Sequence, residues 1–351
     1  MAYPSFATGI SSRSEPVTSL PPVRAANLAH LSDGDTTADG VTVTVAFRPA
    51  APGDTPAILA LINLVQPHVP WTEDHFRWQY LDAPAGAAAL FVADDAGHIV
   101  SFYAAPRYDV GVFGEVRQAW MVQDVMTHPD HRGRGYLHEL GALCIRHLHD
   151  AGALGFTFPN ERSQGSFSRL GWTELGPVPV RLWPVGRGQP HSAILTPVDE
   201  FSADVGAVWD GSGLDIGTRR DAAYLSWRYR KPGQTYRRFV VGDRAGFVVL
   251  KEFDAGASKR LHICDLVVRA TEQGLLPAVV QEVQQTAREA GAAELTAWLP
   301  HRHPYAAVFD AAGLNTVPTT RRVFVTAPAA YLARYAAMDH WHLTHGDSDV
   351  W

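Results

Sequence analysis

At 351 residues the chain is long for one domain and comfortable for two, each large enough to bury its own core. Hydrophobic residues at 46% and charged ones at 19% are ordinary for a globular protein. A net charge of −6 gives no general reason to expect nucleic acid, and no apolar run approaches the length of a membrane span, so neither partner is expected. The two cysteines, Cys144 and Cys264, suggest no disulfide framework and read as small buried residues of a reducing compartment. The N-terminus lacks the basic-then-apolar order of a signal peptide, with Arg13 its first cation, so a cytoplasmic location is expected.

Residues 1–40 are rich in Ser, Thr, Pro, Ala and Gly without sustained periodicity, and read as a poorly ordered extension. Residues 41–47 alternate as a first strand, and 54–64 read as a helix capped by Asp54. The stretch 73–81 carries Trp78 and Tyr80, and 89–93 with 98–104 read as two strands around a turn at 94–97. Residues 115–127 cover the next strands and run into a loop at His128-Pro129. A helix begins near Tyr136, where Leu137, Leu140, Gly141, Cys144 and Leu148 recur at three- and four-residue spacing.

The loop is chemically pointed. Gly133 and Gly135 allow a tight turn and close backbone approach. The helix behind them turns its unpaired N–H groups and positive dipole end toward the loop, and Arg132 and Arg134 add cationic forks. Together they favour a bound anion, most simply a pyrophosphate. A P-loop would need Gly-Lys-Ser/Thr, which is absent, and the dinucleotide fingerprint would need glycine near 138, where His138 stands.

The stretch resembles the acetyl-CoA loop of the GCN5-related N-acetyltransferase (GNAT) superfamily, Arg/Gln-x-x-Gly-x-Gly/Ala. Arg132, Gly135 and the upstream Pro129 fit, while Leu137 replaces the last small residue. A second matching segment follows at the expected distance: strand residues 156–158, Asn160, a short helix over 163–170, then Gly171-Trp172. The resemblance covers about residues 46–185. It implies acetyl-CoA, or another short acyl-CoA, as co-substrate. It also implies cofactor contacts from Val125, Met126, Thr127, Arg132, Gly133, Arg134, Gly135, Tyr136, Leu137, Asn160, Ser163 and Phe167.

Beyond a Gly/Pro/Ser-rich linker at 186–197 the pattern returns. Trp227-Arg228-Tyr229 echoes Trp78-Gln79-Tyr80, and Asp265 stands 141 residues after Asp124, as Pro300 does after Pro159. A near-constant offset marks an internal duplication. The expected architecture is therefore an α/β (α+β mixed-sheet) protein with two GNAT-like domains in tandem. These are the first at 41–185, a degenerate second at 198–326, and a docking tail at 327–351. In the second copy the loop has become Ala270-Thr271-Glu272-Gln273-Gly274-Leu275, and an acidic residue facing a pyrophosphate is repulsive, so no CoA is expected there.

Transfer to an amine needs that amine neutral. The resemblance places a carboxylate on the strand before the loop, here Asp124, sharing a face with Val122 and Met126 by alternation; its matching residue Asp265 leaves a structural pairing as the alternative. The tyrosine that usually serves as general acid is replaced by Phe167, leaving Ser163, Ser166, Tyr136 or unassisted departure of the thiolate. Acceptor contacts are assigned to Trp78, Tyr80, Trp341, Asp347 and Asp349, with the aromatic pairs alternatively core and Trp341 alternatively a seal. The 16 histidines, including His128, His131, His138, His301 and His303, show no metal-ligand spacing. The expected activity is acylation of an amine on a small polar metabolite, in secondary metabolism or amino-sugar modification. An acyl carrier protein as donor, or a non-catalytic acyl-CoA sensor, are the alternatives.

Overall fold

The computed structural model describes residues 45–186, 193–254, 256 and 258–348. The expected extension, residues 41–44 of the first expected strand, most of the linker and Asp349 lie outside the described residues. In chain order the first half holds β1 (Ala46–Pro49), α1 (Thr55–Val65), α2 (Glu73–Tyr80), β2 (Ala89–Asp95), β3 (His98–Ala105), β4 (Arg107–Val112), β5 (Glu115–Met121), β6 (Gln123–Thr127), α3 (Tyr136–Asp150), β7 (Leu154–Thr157), α4 (Glu161–Arg169), β8 (Thr173–Pro177) and β9 (Val180–Pro184). The second half holds β10 (Leu195–Val198), α5 (Gly206–Asp210), β11 (Ile216–Thr218), α6 (Ala222–Arg228), β12 (Arg237–Val241), β13 (Gly246–Asp254), β14 (Lys259–Val268) and α7 (Leu276–Glu289). It ends with β15 (Glu294–Trp298), α8 (Ala306–Ala311), β16 (Asn315–Thr316), β17 (Arg322–Thr326) and α9 (Ala329–Tyr335).

Three sheets result, ordered β1-β2-β3-β6, which is antiparallel throughout, and β11-β4-β5-β7-β17-β8 and β10-β12-β13-β14-β15-β9-β16, which are mixed through the parallel pairs β5–β7 and β14–β15. The last strands of the two halves are exchanged. β9 lies antiparallel between β15 and β16, and β17 lies antiparallel between β7 and β8. Residues 186–197 thus separate the copies along the chain but not within the sheets.

A local two-fold relation accompanies the exchange. The Trp78 and Trp227 indoles stack with centroids 5.3 Å apart, and each Nε1 donates to the other's backbone carbonyl, at 2.7 and 2.8 Å. These tryptophans are core, as one expectation had it, but the core of the junction. The duplication also carries a polar pair: Tyr80 Oη donates to Asp124 at 2.8 Å, and Tyr229 Oη to Asp265 at 2.9 Å.

Three local expectations need correction. Asp54 precedes α1, but its carboxylate accepts from Ala51 N and from Arg48 instead of capping its own helix. The alternating strand β4 went unassigned, although Tyr108, Val110 and Val112 all point inward. The third concerns Asp124. The run 115–127 breaks at Val122, and Asp124 takes a left-handed conformation with φ 50°, beside a register shift in the β3–β6 pairing. Alternation fails across such a bulge. Val122 belongs to the core cluster that includes Cys144 of α3, whereas Met126 belongs to the one that includes Ile62 of α1, so the two do not share a face.

Candidate active site

The bulge makes the site. β5 pairs in parallel with β7 as far as Met121↔Phe156, with Val122 N donating to Phe156 O at 2.9 Å. Past that point the strands part, and among the described residues β6 has β3 on one side and no strand on the other. An open strand edge presents backbone donors and acceptors to whatever enters. The cleft so formed holds about 630 Å³ and is lined by β6, by the loop ahead of α3 and by α4. Val125, Met126, Thr127, Arg132, Gly133, Arg134, Gly135, Tyr136, Leu137, Asn160, Ser163 and Phe167 all line it. Every position assigned to the cofactor is thus brought to one cleft.

Gly133 and Gly135 have φ of 80° and 81°, and Gly135 directly precedes α3. An added Cβ would touch nothing at either site, so the requirement for glycine lies in the left-handed backbone. Arg132 and Arg134 are exposed and reach only backbone carbonyls, Thr127 O and Asp130 O, each at 3.4 Å. Neither has a carboxylate partner among the described residues. Cations left at a helix N-terminus beside an apolar slot fit the anionic end of a long thioester. Asn160 caps α4, its Oδ1 accepting from Arg162 N and Ser163 N at 3.0 and 3.3 Å, and Ser163 Oγ donates to Asn160 O at 3.2 Å. Both side chains therefore shape the helix start as well as the cleft.

A smaller cavity of about 180 Å³ lies beside the cleft and shares Val125, Asn160, Ser163 and Phe167 with it. Asp124 lines this cavity, held by Tyr80 Oη and by Gln123 Nε2 at 3.2 Å. Three further residues escaped the sequence reading. Gln123 is buried and its Oε1 has no partner among the described residues, and Arg321, just ahead of β17, lines the cavity from the other half of the chain. Tyr103 lines the main cleft with a buried hydroxyl that lacks a hydrogen-bond partner among the described residues, and burial pushes its pKa well up. Gln123 adjoins Asp124 and was readable as a neighbour; Arg321 and Tyr103 arrive through sheet pairing and left no sequence signal.

Of the residues assigned to the acceptor, Tyr80 reaches the site through Asp124 but is fully buried. Trp78 is committed to Trp227. Trp341 is 1% exposed and donates to Tyr335 O at 3.0 Å, and Asp347 is 3% exposed and bonded to Arg220 at 2.7 Å. Neither lines the cleft or the cavity, and both are buried against residues of the second copy. There, Arg220 ties Asp265 to Asp347, and Arg228 bonds the carbonyls of Gly346 and Ser348 at 2.8 and 2.7 Å. The second copy's loop is a 3-10 turn over Ala270–Leu275, and its Gly274 is not left-handed. Among the described residues no cluster of three or more His, Cys, Asp or Glu is arranged to hold a metal, and no helix is long and apolar enough to cross a membrane.

Residues 46–174 match the profile of the acetyltransferase (GNAT) domain family, so this part of the chain is a GNAT domain. The whole fold is that of tandem GNAT proteins. A GCN5-related N-acetyltransferase from Anabaena variabilis matches with a TM-score of 0.59 at 15% identity, over 81% of this chain and 72% of that one. Eis1 from Mycobacterium abscessus matches with 0.57 at 13%, over 84% and 76%. A tandem GNAT protein from the clavulanic acid biosynthesis pathway, solved without acetyl-CoA, matches with 0.53 at 15%, over 81% and 98%. No curated protein matches the chain.

Proposed function

We propose that the protein is an acyl-CoA-dependent N-acyltransferase, which moves an acetyl or other short acyl group to an amine of a small polar molecule. The observation that carries this reading is that the two cavities adjoin, sharing Val125, Asn160, Ser163 and Phe167. A cleft with two arginines that have no carboxylate partner among the described residues shares a wall with a small polar cavity lined by a carboxylate. A binding module would need the first; transfer needs both.

In this reading the first copy carries the single active site and the second serves as scaffold. CoA's diphosphate lies against Arg132, Arg134 and the N–H groups opening α3. The pantetheine arm follows the open edge of β6 at Val125, Met126 and Thr127. An acyl thioester supplies an electrophilic carbonyl, and the amine approaches from the small cavity. Asp124 takes the proton that must leave the amine before it can attack. The departing sulfur gains its proton from Ser163, or from water.

Titration calorimetry with CoA, paired with release of free thiol from acetyl-CoA in the presence of an amine panel, tests the reading. The double variant Arg132→Glu, Gly135→Val is expected to lose CoA binding with its fold intact, by charge reversal and by strain at φ 81°. Unchanged CoA affinity in that variant would refute the assignment of the loop. CoA binding without thiol release for any amine would favour the sensor.

A further inference from the structure

The small cavity beside Asp124 is built with one charge of each sign. Of its lining residues Asp124 alone is acidic and Arg321 alone is cationic. Arg321 is delivered by a chain segment that is fixed. Its carbonyl accepts from Val178 N at 3.0 Å, its N–H donates to Thr319 Oγ1 at 3.2 Å, and Gln164 of α4 donates to Thr320 O at 2.7 Å. The guanidinium itself has no hydrogen bond or ion pair among the described residues. His345 lies close enough to feel its charge, but burial above all keeps that ring neutral, so it neither pairs with nor neutralises Arg321.

At the other pole the acceptor groups cluster. Gln123 is 6% exposed, its Nε2 is spent on Asp124, and its Oε1 is a buried acceptor without a donor. Exchanging the amide oxygen and nitrogen would set an oxygen against a carboxylate, so this orientation is the one the network demands. A buried orphan acceptor is costly unless a ligand donor meets it. Asp124 and Gln123 thus offer an ammonium or amine two oxygens, and Arg321 offers a carboxylate its planar fork.

Resting on the transferase reading above, we propose that the acceptor is a small amino carboxylate, with its amine at Asp124 and Gln123 and its carboxylate on Arg321. The volume of about 180 Å³ is small for a ligand pocket and suits a compact molecule. The proposal also gives the second copy a chemical task. Arg321 immediately precedes β17, the strand exchanged into the first copy's sheet, so the exchange carries the specificity cation to the active site.

The test compares free amino acids with their carboxamides as acceptors, using acetyl-CoA and thiol release. The amide's less basic amine is more largely neutral at pH 7, so a preference for the acid must come from the protein. The wild type is expected to favour the acids in kcat/KM. Arg321→Met is expected to shrink the acid-to-amide ratio about tenfold to a hundredfold, the worth of a charge-assisted pair, with the Kd for CoA as a control for folding. A wild type that prefers amides, or a variant that loses both substrate sets equally, overturns the proposal. If acetyl-CoA binds but neither set is acylated, calorimetry with N-acetyl amino acids on the CoA complex decides: binding that Arg321→Met weakens supports it, and no binding to the wild type overturns it. Failure of acetyl-CoA itself to bind brings down the transferase reading, and this one with it.

Discussion

Asp124 gathers most of the chemistry into one residue. Its φ of 50° is uncommon outside glycine, and Asp and Asn are among the side chains that tolerate it best. Asp124→Asn therefore keeps the bulge, and Tyr80 can still donate to the remaining oxygen. We expect unchanged CoA affinity and a turnover lower by ~10²–10⁴-fold, the usual worth of a general base. The loss should be greatest at neutral pH and recover as pH approaches the amine's own pKa, where no base is needed; a small, pH-independent loss would make Asp124 structural. Tyr103→Phe has a different signature. Because the hydroxyl is buried without a protein partner, removing it should leave unfolding stability unchanged or slightly raised. A loss above about 1 kcal/mol in urea denaturation would reveal a partner that the fold does not display. The loop was legible because Arg132, Gly133, Arg134 and Gly135 are contiguous and act through their own backbone. Asp124's position was legible but its direction was not, since a one-residue bulge overturns strand alternation.

At the level of elements, α3 followed its periodicity closely and α4 lies within two residues of where the resemblance set it, while the partners of β9 and β17 were hidden. An exchanged strand carries the same alternation as an unexchanged one, and only long-range packing selects its neighbour. Gly155 of β7 is a sensitive point of that packing. A Cβ there would lie 2.7 Å from Leu148 Cδ2 of α3, 2.7 Å from Thr326 Cγ2 of the exchanged strand and 3.0 Å from Trp172. Three core side chains would have to shift together to admit it. Gly155→Ala should therefore cost ~1–3 kcal/mol, the usual range for overpacking, measured by urea or guanidinium denaturation. A change within about 0.5 kcal/mol, typical of surface positions, would mean β17 is not seated against β7 as described.

Over the whole molecule, the C-terminal segment decides how the second copy holds together. Removing residues beyond Ala337 takes away Trp341 and Leu343, 1% and 2% exposed, and leaves Arg220 and Asp265 without Asp347 and His342. Such a truncation should lower Tm sharply without a selective rise in the amine KM; a stable protein with a raised KM would return the tail to the acceptor site. The same interior sets a pH dependence. Burial drives His262 down to about 3 from an ordinary 6.5, and holds His303 and His345 well below that value too. Once pH falls under 6.5 the unfolded chain takes up protons at these imidazoles, and the folded chain does not. The unfolded state then binds more protons, so stability rises with pH across that window. The contribution is complete above about 6.5 and is lost as pH falls toward the folded pKa values, at up to ~1.4 kcal/mol per pH unit for each separated imidazole. Asp265, held below its usual range by Arg220 and His342 against the opposing effect of burial, adds a loss only in stronger acid. Urea midpoints should therefore be flat from pH 8 to 7 and fall steeply from 6.5 to 5. His262→Gln should make that fall shallower, because one proton-linked group has gone. A midpoint that stays level to pH 5 would mean the imidazoles are protonated, or reached by water, in the folded protein.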